Sequence, residues 1–328
     1  MKYTLPIVVC LCCLSLLVGS VRLSVADVWQ VLMGGGDEMA RFVVLESRLP
    51  QLLTALLAGA ALSVSGLVMQ TLFANPLADP ALLGVNSGAS LGAALALLLL
   101  GGSWSVGQVA LAGMVLTIAA AFVGACAVIA LLTLCSHYLR GNLALLVVGV
   151  MLSFILSAII SLLCFYASAD GVRGFVLWGM GDFSSVPFER LPFMAVLVVL
   201  PILSVMACSR SLNALLLGND YAANLGIRVQ RVRTILLVLT GLLTAIVTAL
   251  CGPISFVGLA VPHMARLVCR TANHRQLVPQ TVLMGAGVAV FSLVLCHLPG
   301  ERGVLPLAAI TPFVGVPVVA YILIRRRA

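Results

Sequence analysis

Apolar residues along this chain come in long runs without the strict alternation of a half-buried strand. The stretch "LLVVGVMLSFILSAIISLLCFYA", residues 145–167, is one such run. A membrane-spanning helix needs about 20 such residues, whereas a barrel strand alternates over about 10. Within hydrocarbon every backbone group must be bonded internally, so runs of this kind read as helices. Glycines, prolines and charges punctuate them and place helices near 3–20, 50–73, 82–100, 106–134, 143–167, 191–208, 233–250, 254–267, 278–297 and 306–324. The pattern predicts an all-α polytopic membrane protein with about ten transmembrane helices. The eighth helix is short and interrupted. It lies in "CGPISFVGLAVPHMARLVCR", Cys251 to Arg270, where two glycines, two prolines, a histidine and two arginines break the apolar run.

Composition agrees with that pattern. Only 9% of the 328 residues are charged and 62% are hydrophobic, against roughly 25% charged in soluble domains. Positive residues gather on the cytoplasmic side of short loops. With the N-terminus inside, the inner loops hold 12 basic residues and two acids, and the outer loops six basic residues and eight acids. Both termini are therefore expected in the cytoplasm. The net charge of +8 follows from this topology and needs no nucleic-acid partner. The apolar run after Lys2, followed by "SVA" at 24–26, shares features with a signal peptide. It is read as a retained first span. No polar linker divides the chain, so residues 1–328 are expected to form one transmembrane domain. The longest polar pieces are 21–48, 168–190 and 209–232.

Several function classes are disfavoured by what is missing. A P-loop needs G-x-x-x-x-G-K-[ST], and the only lysine is Lys2. This chain does not hydrolyse ATP by that chemistry. Ion-coupled transporters keep ionisable residues within their spans, and this assignment leaves no Asp, Glu, Lys or Arg there. An ion-coupled secondary transporter of a large solute stays as the alternative. His137, His263, His274 and His297 lie near span ends, with no carboxylate within helical reach, which argues against an enzyme. "CLCC" at 10–13 has no histidine or carboxylate beside it. Cysteine in an apolar helix acts as a small hydrophobe. No metal site, disulfide or cofactor is expected.

Local motifs carry more. "RLP" at 48–50 opens the second span, where proline suits the first helical turn. Arg48 then lies at the outer edge. "NPLADP" at 75–80 reads as an inner turn in which Asn75 and Asp79 bond local backbone N–H groups. Gly84, Gly88 and Gly92 form a small-residue face for helix packing. Gly149, Ser153, Ser157 and Ser161 repeat that spacing on the fifth span. "LLLGNDYAANLGI", 215–227, holds two Leu-Gly pairs around Ala222 and Ala223 on the basic side, and reads as a small helix–turn unit open to close approach.

In combination these motifs resemble the FecCD family of permease subunits, which belong to bacterial ATP-binding-cassette importers of vitamin B12, haem and ferric siderophores. Arg48 to Ser90, the 215–227 segment, "LWGMGDF" at 177–183 and the Cys251–Arg270 stretch with "NHRQLVP" at 273–279 carry the likeness, in order along the chain. The resemblance implies a homodimer in the bacterial inner membrane, working with two ATP-binding subunits and a substrate-binding protein. It implies ATPase coupling through Leu217, Gly218, Ala222, Ala223, Leu225 and Gly226. It implies binding-protein docking at Arg48, whose plainer reading is an interfacial anchor, and a translocation path lined by Ser153 and Ser157. His263, Arg266, His274 and Arg275 are read as a basic brace beside the coupling segment. The chain also departs from the family pattern. Gln51 stands where a second arginine is common, Ser292 and Cys296 replace an aspartate and an arginine, and "VLPLA" at 304–308 replaces a Glu-Leu-Pro motif. Arg302 is the nearest substitute docking charge.

Overall fold

The computed structural model describes residues 4–81, 83–99, 108–139, 142–300 and 303–325. Every regular element among them is helical. The order is α1 (Thr4–Leu17), α2 (Val25–Leu32), α3 (Glu38–Arg41), α4 (Leu49–Leu72), α5 (Val85–Ala94), α6 (Gln108–Tyr138), α7 (Asn142–Tyr166), α8 (Ala169–Gly179), α9 (Leu191–Ala207), α10 (Ser209–Leu215), α11 (Asn219–Asn224), α12 (Val229–Cys251), α13 (Val257–Cys269), α14 (His274–His297) and α15 (Leu307–Arg325). Among the described residues, six helical stretches are long and apolar enough to cross a membrane, and four shorter apolar helices accompany them. The chain is a multi-pass membrane protein. Its apolar helices fall where hydropathy placed them.

Helix α4 is the axis of the bundle. Most of its residues are buried, and α1, α9, α12, α13 and α14 pack around it. Glycines set the distances. A Cβ on Gly59 would lie 2.2 Å from the Gly285 carbonyl oxygen, and one on Gly66 would lie 1.8 Å from the Gly258 oxygen. No side chain fits at either crossing, which is the close approach that small residues permit between apolar helices. The Gly84–Gly88–Gly92 stripe divides its contacts. Gly88 and Gly92 abut Gly124 and Ala120 on α6, while Gly84 meets Gly149 and Ser153 on α7.

The start of the second span differs from the sequence expectation. Helix runs continuously from Glu38 to Leu72, so residues 38–48 are not an irregular outer segment. A π-helical turn over Phe42–Arg48 joins α3 to α4, and the Leu49 N–H bonds back to Val44. Proline inside a helix loses one bond and crowds the carbonyl four residues earlier. The wider turn ahead of Pro50 relieves that conflict, so Pro50 does not begin the helix. Helix α2 starts with a capping box in which Ser24 and Asp27 bond each other's backbone. Val28, Val31, Ala40 and Val44 form a small separate core beneath it.

Candidate functional site

The interrupted eighth helix lies between two backbone reversals. Gly252 has φ of 77° and Phe256 has φ of 68°. The first is easy for glycine, while the second is strained for a bulky residue. Phe256 is seated against Gly315 of α15, where a Cβ would come within 2.6 Å of the Phe256 Cβ. Helix α13 therefore begins inside the bundle, packed on the second half of α4 at the Gly66–Gly258 crossing.

The 73–84 segment climbs along this broken helix. The His263 Nε2 donates to the Pro76 carbonyl at 2.8 Å. Asn75 Oδ1 accepts from the Leu77 N–H, and Asp79 Oδ1 accepts from the Ala81 N–H at 3.0 Å, as the turn reading required. The turn is not fully solvated, however. Asp79 is buried, and a Cβ on Gly258 would meet its carboxylate oxygens at 3.1 and 3.2 Å and the Leu62 carbonyl at 3.0 Å. Asp79 is thus a buried carboxylate in the turn between α4 and α5. Asn86 then accepts from Thr248 at 2.9 Å, so α5 also begins deep in the bundle.

Polar contacts tie the basic end together. Arg266 Nη1 donates to Gln70 Oε1 at 2.6 Å, and Gln70 Nε2 donates to the Leu259 carbonyl at 3.2 Å. His274 is buried, with Asn213 of α10 on one side and Thr71 of α4 on the other. Asn213 Oδ1 accepts from the His274 backbone N–H at 2.8 Å and lies 2.9 Å from its Nδ1. An oxygen that already accepts a backbone N–H presents only lone pairs, so Nδ1 carries a proton. Asn213 Nδ2 donates to Asn273 Oδ1 at 2.9 Å, and Asn273 caps α14 by accepting from the Arg275 N–H. His263, Arg266 and His274 thus join α4, α10 and α13. Arg275 enters the group through its backbone, and its side chain is exposed. Asn213, Gln70 and Thr71 were not singled out from sequence, and Asp79 was read only as a turn residue. A lone amide in each of two leucine-rich runs was the available signal.

The 209–226 segment hangs from that group as two short helices. Gly218 has φ of 109° and Gly226 has φ of 80°. Leu217 and Leu225 are exposed at 65% and 58%, and Ala223 is exposed beside them. Ala222 does not belong to this face. It is 0% exposed and packs into the core. One turn of a six-residue helix points adjacent alanines in different directions, and the sequence motif treats them alike.

Other candidates move as well. Arg48 is only 6% exposed. Its Nη1 donates to the carbonyls of Leu16 at 2.5 Å and Leu17 at 3.1 Å, and its Nη2 donates to that of Val21. The guanidinium closes the C-terminus of α1 rather than presenting a charge outward. Arg302 lies outside the described residues. Ser153 donates to Gly149 at 3.0 Å and faces Gly84, while Ser157 is exposed. Only Ser157 of the pair lies on an open face of α7. The Trp-Gly turn packs on the break, with the Asp182 N–H bonded to the Cys251 carbonyl at 2.8 Å.

The profile of the FecCD transport family matches residues 7–325. The chain belongs to the FecCD transport family. It is 34% identical to a vitamin B12 import system permease protein, BtuC, of Shigella boydii, over 97% of this chain and 94% of that protein. The protein of the same name from Serratia proteamaculans is 35% identical over 92% of this chain and 88% of its own length. A solved structure of an inward-facing transporter assigned to the metal-chelate ABC type superposes with a TM-score of 0.86 at 29% identity. That alignment covers 98% of this chain and 97% of the other.

Proposed function

We propose that residues 1–328 form one permease domain of an ATP-driven importer in a bacterial inner membrane. Two copies would enclose the pathway, with Ser157 on its wall. Two ATP-binding subunits and an extracytoplasmic binding protein would complete the assembly. Ten spans with both termini in the cytoplasm fit the charge asymmetry. The cargo class is a metal chelate: cobalamin, haem or a ferric siderophore. Cobalamin is the first to test, because the similar permeases named above import vitamin B12. The family itself does not choose among these chelates.

The observation that carries this reading is the attachment of the 209–226 segment. It exposes leucines at the basic end, yet Asn213 bonds it to His274, beside α4 and the broken α13. A force applied to Leu217 or Leu225 reaches the middle of the bundle through that contact. Ligand-driven motion needs such an element with two arrangements that both sites bias. The test is copurification with an ATP-binding subunit, followed by hydrolysis measured in lipid with each chelate on its binding protein. Chelate-stimulated hydrolysis and uptake support the reading. Uptake by the permease alone, driven by an ion gradient, rejects it.

A further inference from the structure

A groove of about 630 Å³ runs between α6 and α12, apart from the site described above. Its walls are apolar: Ile129, Ala130 and Leu134 on one side, Val238 and Leu242 on the other. Toward the basic end its lining turns polar with Thr133, His137 and Tyr138.

Two hydroxyls are buried without a partner at this end of the two helices, Thr133 Oγ1 of the groove lining and Thr234 Oγ1 beside it. Threonines in apolar helices commonly bond the carbonyl four residues back. Thr117, Thr240 and Thr244 do so in this protein, but these two do not. Thr234 shares the α12 face of Val238, one turn away. Arg231 is exposed and lies three residues before Thr234 and seven before Val238, on that same face. Gln230 Nε2 donates to the Ser136 carbonyl at 2.9 Å, which fixes the start of α12 against the end of α6. Arg231 and His137 therefore stand at one level. His137 Nδ1 lies 2.9 Å from the Thr133 carbonyl. A carbonyl only accepts, so Nδ1 donates and Nε2 faces away from the helix backbone. Neither helix carries a carboxylate.

We infer that this groove binds an anionic phospholipid of the cytoplasmic leaflet. One acyl chain lies along Ala130, Leu134 and Val238. The phosphate meets Arg231 and His137. A soluble anion would leave the apolar trough unfilled. A zwitterionic lipid would bring its own cation beside Arg231. Basic pockets between spans on the cytoplasmic side recognise acidic headgroups in this way. The inference rests on the inward placement of the basic end proposed above.

The test uses the full chain, purified, delipidated and titrated with phosphatidylglycerol or phosphatidylcholine by native mass spectrometry. Phosphatidylglycerol is expected to bind about tenfold more tightly. Arg231→Ala should weaken it about fivefold, and Ala130→Trp, which fills an exposed position in the trough, should remove the tight site. Arg41→Ala, at the other end of the bundle, should change nothing. Equal affinity of the wild type for both lipids overturns the inference, whatever the variants do. So does tight binding that survives both groove substitutions. Placement is tested separately, with an impermeant maleimide on Arg231→Cys in a cysteine-free chain. Labelling in inverted vesicles alone supports the inner leaflet. Labelling from the opposite side rejects the topology without altering the titration.

Discussion

His274 grips Asn213 twice, through its backbone N–H at 2.8 Å and its Nδ1 at 2.9 Å. This pair links α14 to α10, and Thr71 of α4 holds the other ring nitrogen at 2.9 Å. Asn213→Ala leaves two donors of His274 unmet, at a cost of about 1–3 kcal/mol each in a buried site. The expected outcome is a folded permease that still binds its ATPase but loses about tenfold in transport per ATP hydrolysed, because α10 moves without α4. Asn213→Asp keeps the acceptor and should recover part of the coupling. Parallel uptake and hydrolysis assays decide it: an unchanged ratio of the two in Asn213→Ala removes His274 from the coupling route.

Ala222 and Leu217 make an informative contrast, because both belong to the same sequence motif. Ala222 is 0% exposed and Leu217 is 65% exposed. A glutamate at 222 would bury an unpaired charge, a change that costs several kcal/mol. Ala222→Glu should therefore lower the yield of folded protein in detergent. Leu217→Ser and Leu225→Ser should leave yield and melting temperature unchanged and reduce copurification with the ATPase at least about tenfold, as loss of apolar anchors does. Normal copurification of both serine variants would place the contact elsewhere.

How far these features could be read in the sequence depends on what set them. Helix positions were legible, because about 20 apolar residues and a proline or glycine break fix a span through hydration alone. The family motifs located the 209–226 segment and the broken helix for the same chain-local reason. Side-chain direction was not legible. Nothing in "NDYAAN" separates Ala222 from Ala223, since the short helix has no hydrophobic period to read. The turn around Asp79 was recognised as a turn, but its burial depends on a contact 179 residues away with Gly258, a glycine that carries no pattern of its own. Arg48 looked like an outer charge because its acceptors are backbone carbonyls on α1, and any sequence offers those.

Arg48 can be tested on that distinction. Its guanidinium bonds the carbonyls of Leu16, Leu17 and Val21, the free end of α1. Charged donors are stabilising at a helix C-terminus, and hydrogen bonds to charged groups contribute about 1.5–3 kcal/mol. Arg48→Ala should lower the melting temperature in detergent, and Arg48→Lys should recover only part of it, because an ammonium lacks the planar fork. A pure docking residue would give the opposite pattern, with unchanged melting and weaker capture of the binding protein.

The glycine crossings on α4 set a sharper limit. Gly66 meets the Gly258 oxygen where a Cβ would sit 1.8 Å away. That atom is backbone, so the two helices must separate for a methyl to fit. Overpacking of this kind costs about 1–3 kcal/mol or more. Gly66→Ala should abolish folded protein or lower its melting point by many degrees. Gly226→Ala is the comparison, since nothing lies within 4 Å of its Cβ position and its only penalty is φ of 80°. That penalty is about 1 kcal/mol, so Gly226→Ala should stay folded.

Asp79 separates the importer from the ion-coupled alternative. Its carboxylate is buried and accepts from the Ala81 N–H in a local turn. Asparagine offers the same acceptor at the same length, so Asp79→Asn keeps the turn and removes the ionisable proton. In an ATP-driven permease this variant should transport within about twofold of the wild type, and collapse of the proton gradient should leave both unaffected in vesicles supplied with ATP. A proton-coupled carrier needs an ionisable group within its spans, and Asp79 is the one buried carboxylate among the described residues. Loss of transport in Asp79→Asn, with melting unchanged and wild-type uptake abolished by an uncoupler, would assign the driving force to that proton. Asp79→Leu completes the set. It removes the acceptor as well as the charge, leaves the Ala81 N–H unbonded, and should lower stability by about 1–3 kcal/mol.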